Sequence, residues 1–162
     1  MTSAAPPRAS RLTPPGFFVT GTDTGVGKTR VAVALVHALR ARGLRVAAMK
    51  PVSAGSAPGE PNEDVAALLQ AANVPADIRD VNPYAFAPAI APHIAAQQAG
   101  VQIELDVIAR AFSRLAAAAD VVVVEGAGGW RVPLNAREDM ADLAQRLGLP
   151  VVLVVGLRLG CL

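Results

Sequence analysis

The sequence predicts a three-layer α/β fold, with a mostly parallel central sheet flanked by helices. Two observations predict it. Short apolar runs of strand character alternate with segments of helical periodicity along the 162 residues. Alternation of that kind implies parallel pairing through right-handed crossovers. In addition, Asp120–Glu125 encloses a continuous β-branched run, Val121–Val124, as expected of a central parallel strand buried on both faces.

Met1–Pro15 holds four prolines, Arg8 and Arg11, and no apolar stretch resembling a signal-peptide core. It reads as a flexible tail, and residues 16–162 as one domain. Phe17–Thr20, bounded by Gly16 and Gly21, reads as a buried strand. Lys28–Arg42 reads as a helix, because Val31, Leu35 and Leu39 recur at helical spacing and Gly43 stands past the end as a stop. Arg45–Lys50 returns to strand character and stops at Pro51. Ser53–Pro61, rich in Gly, Ser, Ala and Pro, is expected to be a loop. Asn62 can cap a helix over Glu63–Ala72, with Val65, Leu68 and Leu69 inward. The proline-rich stretch Val74–Pro92 is expected to be mostly extended or turning. Glu104–Ala119 reads as a helix with Leu105, Ile108, Phe112 and Leu115 on one face. Glu138–Leu147 is helical and stops at Gly148, and Pro150–Val155 is a fully apolar strand. That last strand expects cover from elements beyond Leu162, so a shortened form of a larger domain is anticipated.

Composition narrows the function classes. At 52% hydrophobic and 17% charged residues the chain is not of disordered composition. A formal net charge of +2 is too small an excess to argue for nucleic acid or an anionic membrane. The pure apolar runs are far too short to span a bilayer. One cysteine, Cys161, excludes an internal disulfide and a cysteine-based zinc site. It is consistent with a reducing compartment, and a cytoplasmic location is expected.

The chemistry is concentrated in three segments. Gly21–Thr29 (GTDTGVGKT) follows a strand and opens a helix, the context of a phosphate loop. Its glycines let successive N–H groups face one anion, and the helix N-terminus adds partial positive charge. Lys28 can reach β- and γ-phosphates, and the Thr29 hydroxyl can ligate Mg²⁺. The strict pattern G-x-x-x-x-G-K-S/T would place its first glycine where Thr22 stands, so the loop is a variant preceded by Gly21. Lys50, in Lys50–Gly55 (KPVSAG), ends the second strand on the edge that faces the ligand crevice of an open parallel sheet. Glu125, in Glu125–Gly129 (EGAGG), ends a central strand where a Walker-B-type carboxylate holds Mg²⁺. The small residues after it allow close backbone approach to a ligand. Trp130 and Arg131 either flank this site or close the loop. Asp64, taken alone, is an acid in a first helical turn that complements the helix dipole. His37 reads as a mid-helix bystander, His93 as a low-grade site candidate, and Cys161 as inert.

These segments, with Val81–Phe86 (VNPYAF), Pro92-His93, Glu125–Trp130 and Val151–Cys161, resemble the dethiobiotin synthetase family of biotin biosynthesis in order and spacing. The resemblance covers essentially everything after Gly16. It implies a P-loop NTPase-type fold and an ATP- and Mg²⁺-dependent ligase acting on 7,8-diaminononanoate (7,8-diaminopelargonate) and CO₂. A carbamate would attack the γ-phosphate of ATP to give a carbamic–phosphoric anhydride. Ring closure would then yield dethiobiotin, ADP and phosphate. The implied ATP-binding set is Gly25, Val26, Gly27, Lys28, Thr29, Arg30, Asp64, Glu125, Gly126, Ala127 and Gly128. The implied metal ligands are Thr29, Asp64 and Glu125, which raises Asp64 from a helix-start acid to a ligand. Lys50 and Lys28 would be catalytic, and Thr24, Lys50, Ser53, Ala54 and Gly128 would line the substrate side.

There are departures from the family pattern. Ala54 stands where relatives often carry a substrate-contacting Ser. Either Ser53, one position earlier, substitutes for that contact or the contact is absent. Gly25 occupies a position where many relatives have an acid and others a glycine. The family is several tens of residues longer at the C-terminus. That segment supplies adenine-binding residues, later strands and much of a homodimer interface. Three rival readings remain. A cobyrinate-synthase-like amide ligase needs an attached glutamine-using domain, for which 162 residues leave no room. A ParA/MinD-like switch ATPase carries a signature lysine where Asp23 stands here. The third is an inactive fragment of the synthetase.

Overall fold

The computed structural model describes residues 15–56 and 61–159. Twelve elements follow one another: β1 (Gly16–Gly21), α1 (Lys28–Ala41), β2 (Val46–Met49), β3 (Val52–Ala54), α2 (Glu63–Ala71), α3 (Ile78–Val81), β4 (Tyr84–Phe86), α4 (Pro92–Gln98), α5 (Leu105–Ala118), β5 (Val121–Glu125), α6 (Met140–Leu147) and β6 (Val151–Val154). The main sheet has four parallel strands in the order β2-β5-β1-β6. The expected flexible tail falls outside the described residues except for Pro15, and Cys161 lies outside them too.

The pleat divides the core in two. Phe18, Ala47, Met49, Val122 and Val124 face one way and pack with Ile108, Phe112 and Leu115 of α5 and Met140 and Leu143 of α6. Val19, Val46, Ala48, Val121 and Val123 face the other way, against Ala32, Val36 and Leu39 of α1 and Leu68 of α2. Successive strand residues therefore feed opposite helix layers, which is the physical content of the three-layer architecture. Every residue of β5 is buried.

The helix boundaries follow local chemistry. Asn62 caps α2 by accepting from the Asp64 N–H. The Asp139 carboxylate accepts from the N–H groups of Ala141 and Asp142, and the Asp142 carboxylate returns a bond to the Asp139 N–H, a capping box at α6. Gly43 and Gly148 adopt positive φ where α1 and α6 stop.

One expectation needs correction, and two helices were not anticipated. The segment expected as a loop from Ser53 begins inside a strand: β3 pairs in parallel with β4, in the register Val52↔Tyr84, Ser53↔Ala85 and Ala54↔Phe86. Its small residues carry turn propensity, and a non-local partner overrides it. Within 74–92, the stretch expected to be extended or turning, Asp77 caps the short helix α3 before β4 begins. Helix α4 escaped the sequence reading altogether. Pro92 opens it at the first helical position, where a missing N–H costs nothing.

Among the described residues β6 stands at one edge of the main sheet. Val152 and Val154 pack toward the α1 side, whereas Val151 and Leu153 on the other face are 44% and 53% exposed. Burial predicts unequal sensitivity. Ile108→Ala, at a fully buried α5 position, is expected to lose about 2–5 kcal/mol in urea unfolding. Leu153→Ala should lose less than about 1 kcal/mol, because half of that side chain is already in water. Equal losses would contradict this account of the core.

Candidate active site

The main sheet ends its parallel strands on one edge, and three chain segments converge there. β1 runs out at Gly21 into the phosphate loop. Gly25 (φ 76°) and Gly27 (φ 99°) take left-handed conformations that bring the chain round to the start of α1. Thr22 needs no such conformation. Its hydroxyl accepts from the Gly156 N–H at 3.0 Å, tying the loop to the segment after β6. An Arg158–Asp23 ion pair at 3.0 Å does the same.

The second and third segments leave β2 and β5. The register Met49↔Val124 places the next residues, Lys50 and Glu125, side by side. Lys50 Nζ donates to Glu125 Oε1 at 2.6 Å and to Asp64 Oδ2 at 2.9 Å. The Thr29 hydroxyl lies 2.7 Å from Asp64 Oδ1 and 2.9 Å from Glu125 Oε1. Lys28 Nζ donates to the Asp23 carbonyl at 2.7 Å. These are the only two lysines of the chain, and both sit here.

Electrostatics follow from this packing. Burial, with the neighbouring Lys50 charge, lowers the Lys28 pKa below its ordinary value. Burial alone would raise the Asp64 carboxyl. The charge and hydrogen bond of Lys50, the Thr29 hydroxyl and the Lys28 charge together outweigh it and hold the carboxyl below 3.8.

The donor set suits a small hard cation. Thr29, Asp64 and Glu125 present oxygens only. The Thr29 hydroxyl has one proton and faces two carboxylates, so it satisfies one of them at a time. Glu125 is fully buried and its Oε2 has no hydrogen-bond partner among the described residues. Among the described residues there is no cluster of three or more His, Cys, Asp and Glu of metal-binding form. A cation here would therefore share its shell with the Thr29 hydroxyl and with solvent or phosphate oxygens.

A cleft of about 790 Å³ opens over this group. Thr24, Gly25, Gly27, Lys28, Thr29 and Arg30 line it from the loop and the start of α1, Lys50 from just past β2, Ser53 and Ala54 from β3, and Asp64, Glu125, Ala127 and Gly128 from the far side. Two expected ATP-binding residues do not line it. The Val26 side chain packs toward Gly21 and Gly156. Gly126 lies against Phe18 and Met140, although its carbonyl stands 3.5 Å from Lys50 Nζ. Asn62, the 89–92 segment and Val132 line the cleft without having been anticipated. Asn62 carried a signal as a helix cap, and Pro92 as part of the Pro92-His93 pair of the family resemblance. His93 does not line the cleft. Trp130 and Arg131 line a separate hollow with Val151 and Leu153. The Ser53 hydroxyl, a candidate substrate contact, is buried and donates to Asn82 Oδ1 at 2.9 Å.

A protein family described as an AAA domain matches residues 15–162. The chain is 56% identical over 147 residues to the ATP-dependent dethiobiotin synthetase BioD of Nitrosospira multiformis, covering 91% of this chain and 65% of that protein. It is 55% identical to the Pseudomonas aeruginosa protein of the same name, over 91% of this chain and 67% of the relative. For the Xylella fastidiosa protein of that name the figures are 57%, 90% and 66%. The chain thus spans about two thirds of the length of these curated relatives.

The lowered Asp64 carboxyl has a consequence for acid stability. A carboxylate with a depressed native pKa contributes stability that is present above its unfolded pKa and lost as pH falls through the native one. The stability difference between wild type and Asp64→Asn should therefore be full at neutral pH. It should close as the pH drops below about 4. Urea titrations at several pH values measure it, and a gap that stays constant to the lowest pH would refute the Asp64–Lys50 coupling.

Proposed function

The chain belongs to the ATP-dependent dethiobiotin synthetase family, and on that premise we propose that it closes the ureido ring of dethiobiotin. The substrates are 7,8-diaminononanoate, CO₂ and ATP, and the products are dethiobiotin, ADP and phosphate. The observation that carries the reading is the convergence of Lys28, Thr29, Lys50, Asp64 and Glu125 in one cleft at the carboxyl edge of the sheet. The relatives' shared name favours it over the ParA/MinD-like and cobyrinate-type alternatives.

One amine of the substrate captures CO₂ as a carbamate. A carbamate oxygen attacks the γ-phosphorus, and the bond to ADP breaks. The second amine attacks the carbonyl of the resulting anhydride, and phosphate leaves as the ring closes. Phosphoryl transfer of this kind calls for positioning and charge neutralisation more than for covalent help. The loop N–H groups from Gly25 to Thr29 and the α1 N-terminus cradle the phosphates, and the Lys28 ammonium neutralises their charge. Lys50 carries its ammonium on a flexible stem, so it can leave the carboxylates to hold the carbamate and stabilise charge as the anhydride forms and breaks. Thr24, Ser53, Ala54 and the backbone at Gly128 line the diamine side, and Ser53 reaches substrate only by giving up its bond to Asn82. Thr29, Asp64 and Glu125 would hold Mg²⁺, which supplies further neutralisation of phosphate charge when bound. A cytoplasmic homodimer belongs to the same reading and rests on the family resemblance. Among the described residues no helix is long and apolar enough to cross a membrane.

The test is product formation. Purified protein given the diamine, bicarbonate and Mg-ATP is expected to release dethiobiotin, seen by mass spectrometry, in step with phosphate. Absence of product from a cooperatively folded chain would overturn the reading. Lys28→Ala should abolish phosphate release while circular dichroism stays unchanged. Lys50→Gln should lower kcat at saturating diamine by about 100-fold, with a smaller effect on nucleotide binding.

A further inference from the structure

Lys50 stands at a point where the main sheet stops supporting the chain. The ladder of β2 with β5 ends at Met49↔Val124, and Pro51 has no N–H to continue any ladder. The Lys50 backbone is nonetheless pinned on both sides. Its N–H donates to the Val81 carbonyl at 2.8 Å, and its carbonyl accepts from Asn82 Nδ2 at 2.6 Å. The same Asn82 amide also donates to the Tyr84 carbonyl at 3.2 Å, while its Oδ1 accepts from the Ser53 hydroxyl at 2.9 Å. Asn82 is buried, lies outside the cleft lining, and uses both ends of its amide.

We propose that Asn82 is a positioning residue for this site: its side-chain amide clamps the Lys50 carbonyl and the Ser53 hydroxyl, and so aims the Lys50 ammonium into the cleft. The geometry demands donor and acceptor on one short, rigid group. A carboxylate in its place keeps the acceptor for Ser53 and loses the donor for Lys50. The buried Lys50 carbonyl would then stand unpaired and face a like charge, and the 50–53 segment would move to relieve it. A displacement of about 1 Å at a reacting group costs up to about 100-fold in rate. The role rests on the reading of Lys50 given above, but the position of its ammonium can be measured without any turnover.

Two variants and two readouts decide the matter. Asn82→Asp and Asn82→Ala are compared with wild type in acetylation of folded protein by acetic anhydride, followed residue by residue in a mass spectrometer. With only two lysines in the chain, Lys28 serves as the internal reference. Lys50, buried and held by two carboxylates, should react slowly in wild type and at least about tenfold faster in both variants, with Lys28 changed by less than about twofold. In dethiobiotin formation, kcat should fall at least about tenfold while KM for ATP stays within about threefold. Unchanged Lys50 reactivity in a cooperatively melting variant overturns the proposal, and so does a general rise at both lysines. If wild type forms no product, the proposed function fails, while the acetylation result still decides the role of Asn82. If neither variant folds, hydrogen exchange of the wild-type Asn82 side-chain amide decides it. Protection is expected, and exchange at the rate of a free amide would overturn the clamp.

Discussion

The Lys50 ammonium and the Glu125 carboxylate meet at 2.6 Å in a place where both residues are almost wholly removed from water. Taking two charges out of water costs several kcal/mol for each ion, and their attraction offsets that only when the remaining donors and acceptors find partners. Much of the surrounding architecture meets that requirement. Asp64 is delivered by the start of α2 and takes a second Lys50 hydrogen. Thr29, at the start of α1, approaches both carboxylates. Glu125 Oε2 finds no partner among the described residues. A buried carboxylate oxygen with no partner is a standing cost.

The same constraint explains why the ends of the strands matter more than their middles. Within the sheet, β1, β2 and β5 pair in step, and apolar side chains alternate between two helix layers. Past the last ladder bonds the backbone needs other partners. Asn73 supplies them at the start of β2, accepting from the Val46 N–H and donating to the Leu44 carbonyl. Asp120 supplies them beside it, accepting from the Arg45 backbone N–H and guanidinium. Asn82 supplies them at the end of β2. Three polar side chains thus finish an edge strand whose four residues are all buried.

Elements with a strong local signal were legible from the residues. The helix over Glu104–Ala119, the cap at Asn62, the glycine stops at 43 and 148 and the buried strand at 121–125 all match what their spacing implies. The loop lysine and threonine were legible from the glycine-rich turn between a strand and a helix, and Lys50 and Glu125 from their places at strand ends. Ser53 illustrates the limit. Its type and place suggest a substrate contact, but nothing local reveals that its hydroxyl is already bonded to Asn82, 29 positions later. Strand β3 was hidden for the same reason, since its three residues become a strand only because Tyr84–Phe86 lies beside them. Pro92, read as the end of an extended stretch, starts a helix instead.

What the residues by themselves determine is the periodic content: which segments are helix and which strand, that the strands run parallel, and that a phosphate loop, a strand-end lysine and a strand-end acid share one edge. Those properties depend on neighbours within a few positions, where sterics and hydrophobic spacing act directly. The tertiary structure alone decided that Lys50 and Glu125 stand side by side, because that depends on β2 and β5 pairing as sheet neighbours across 75 positions of sequence, with β3 and β4 intervening in the chain. It alone decided that Lys50 bonds Asp64 as well as Glu125 and that Asn82 closes the backbone behind Lys50. Contacts of that kind are set by sheet order and register, and no pattern within a single segment encodes them.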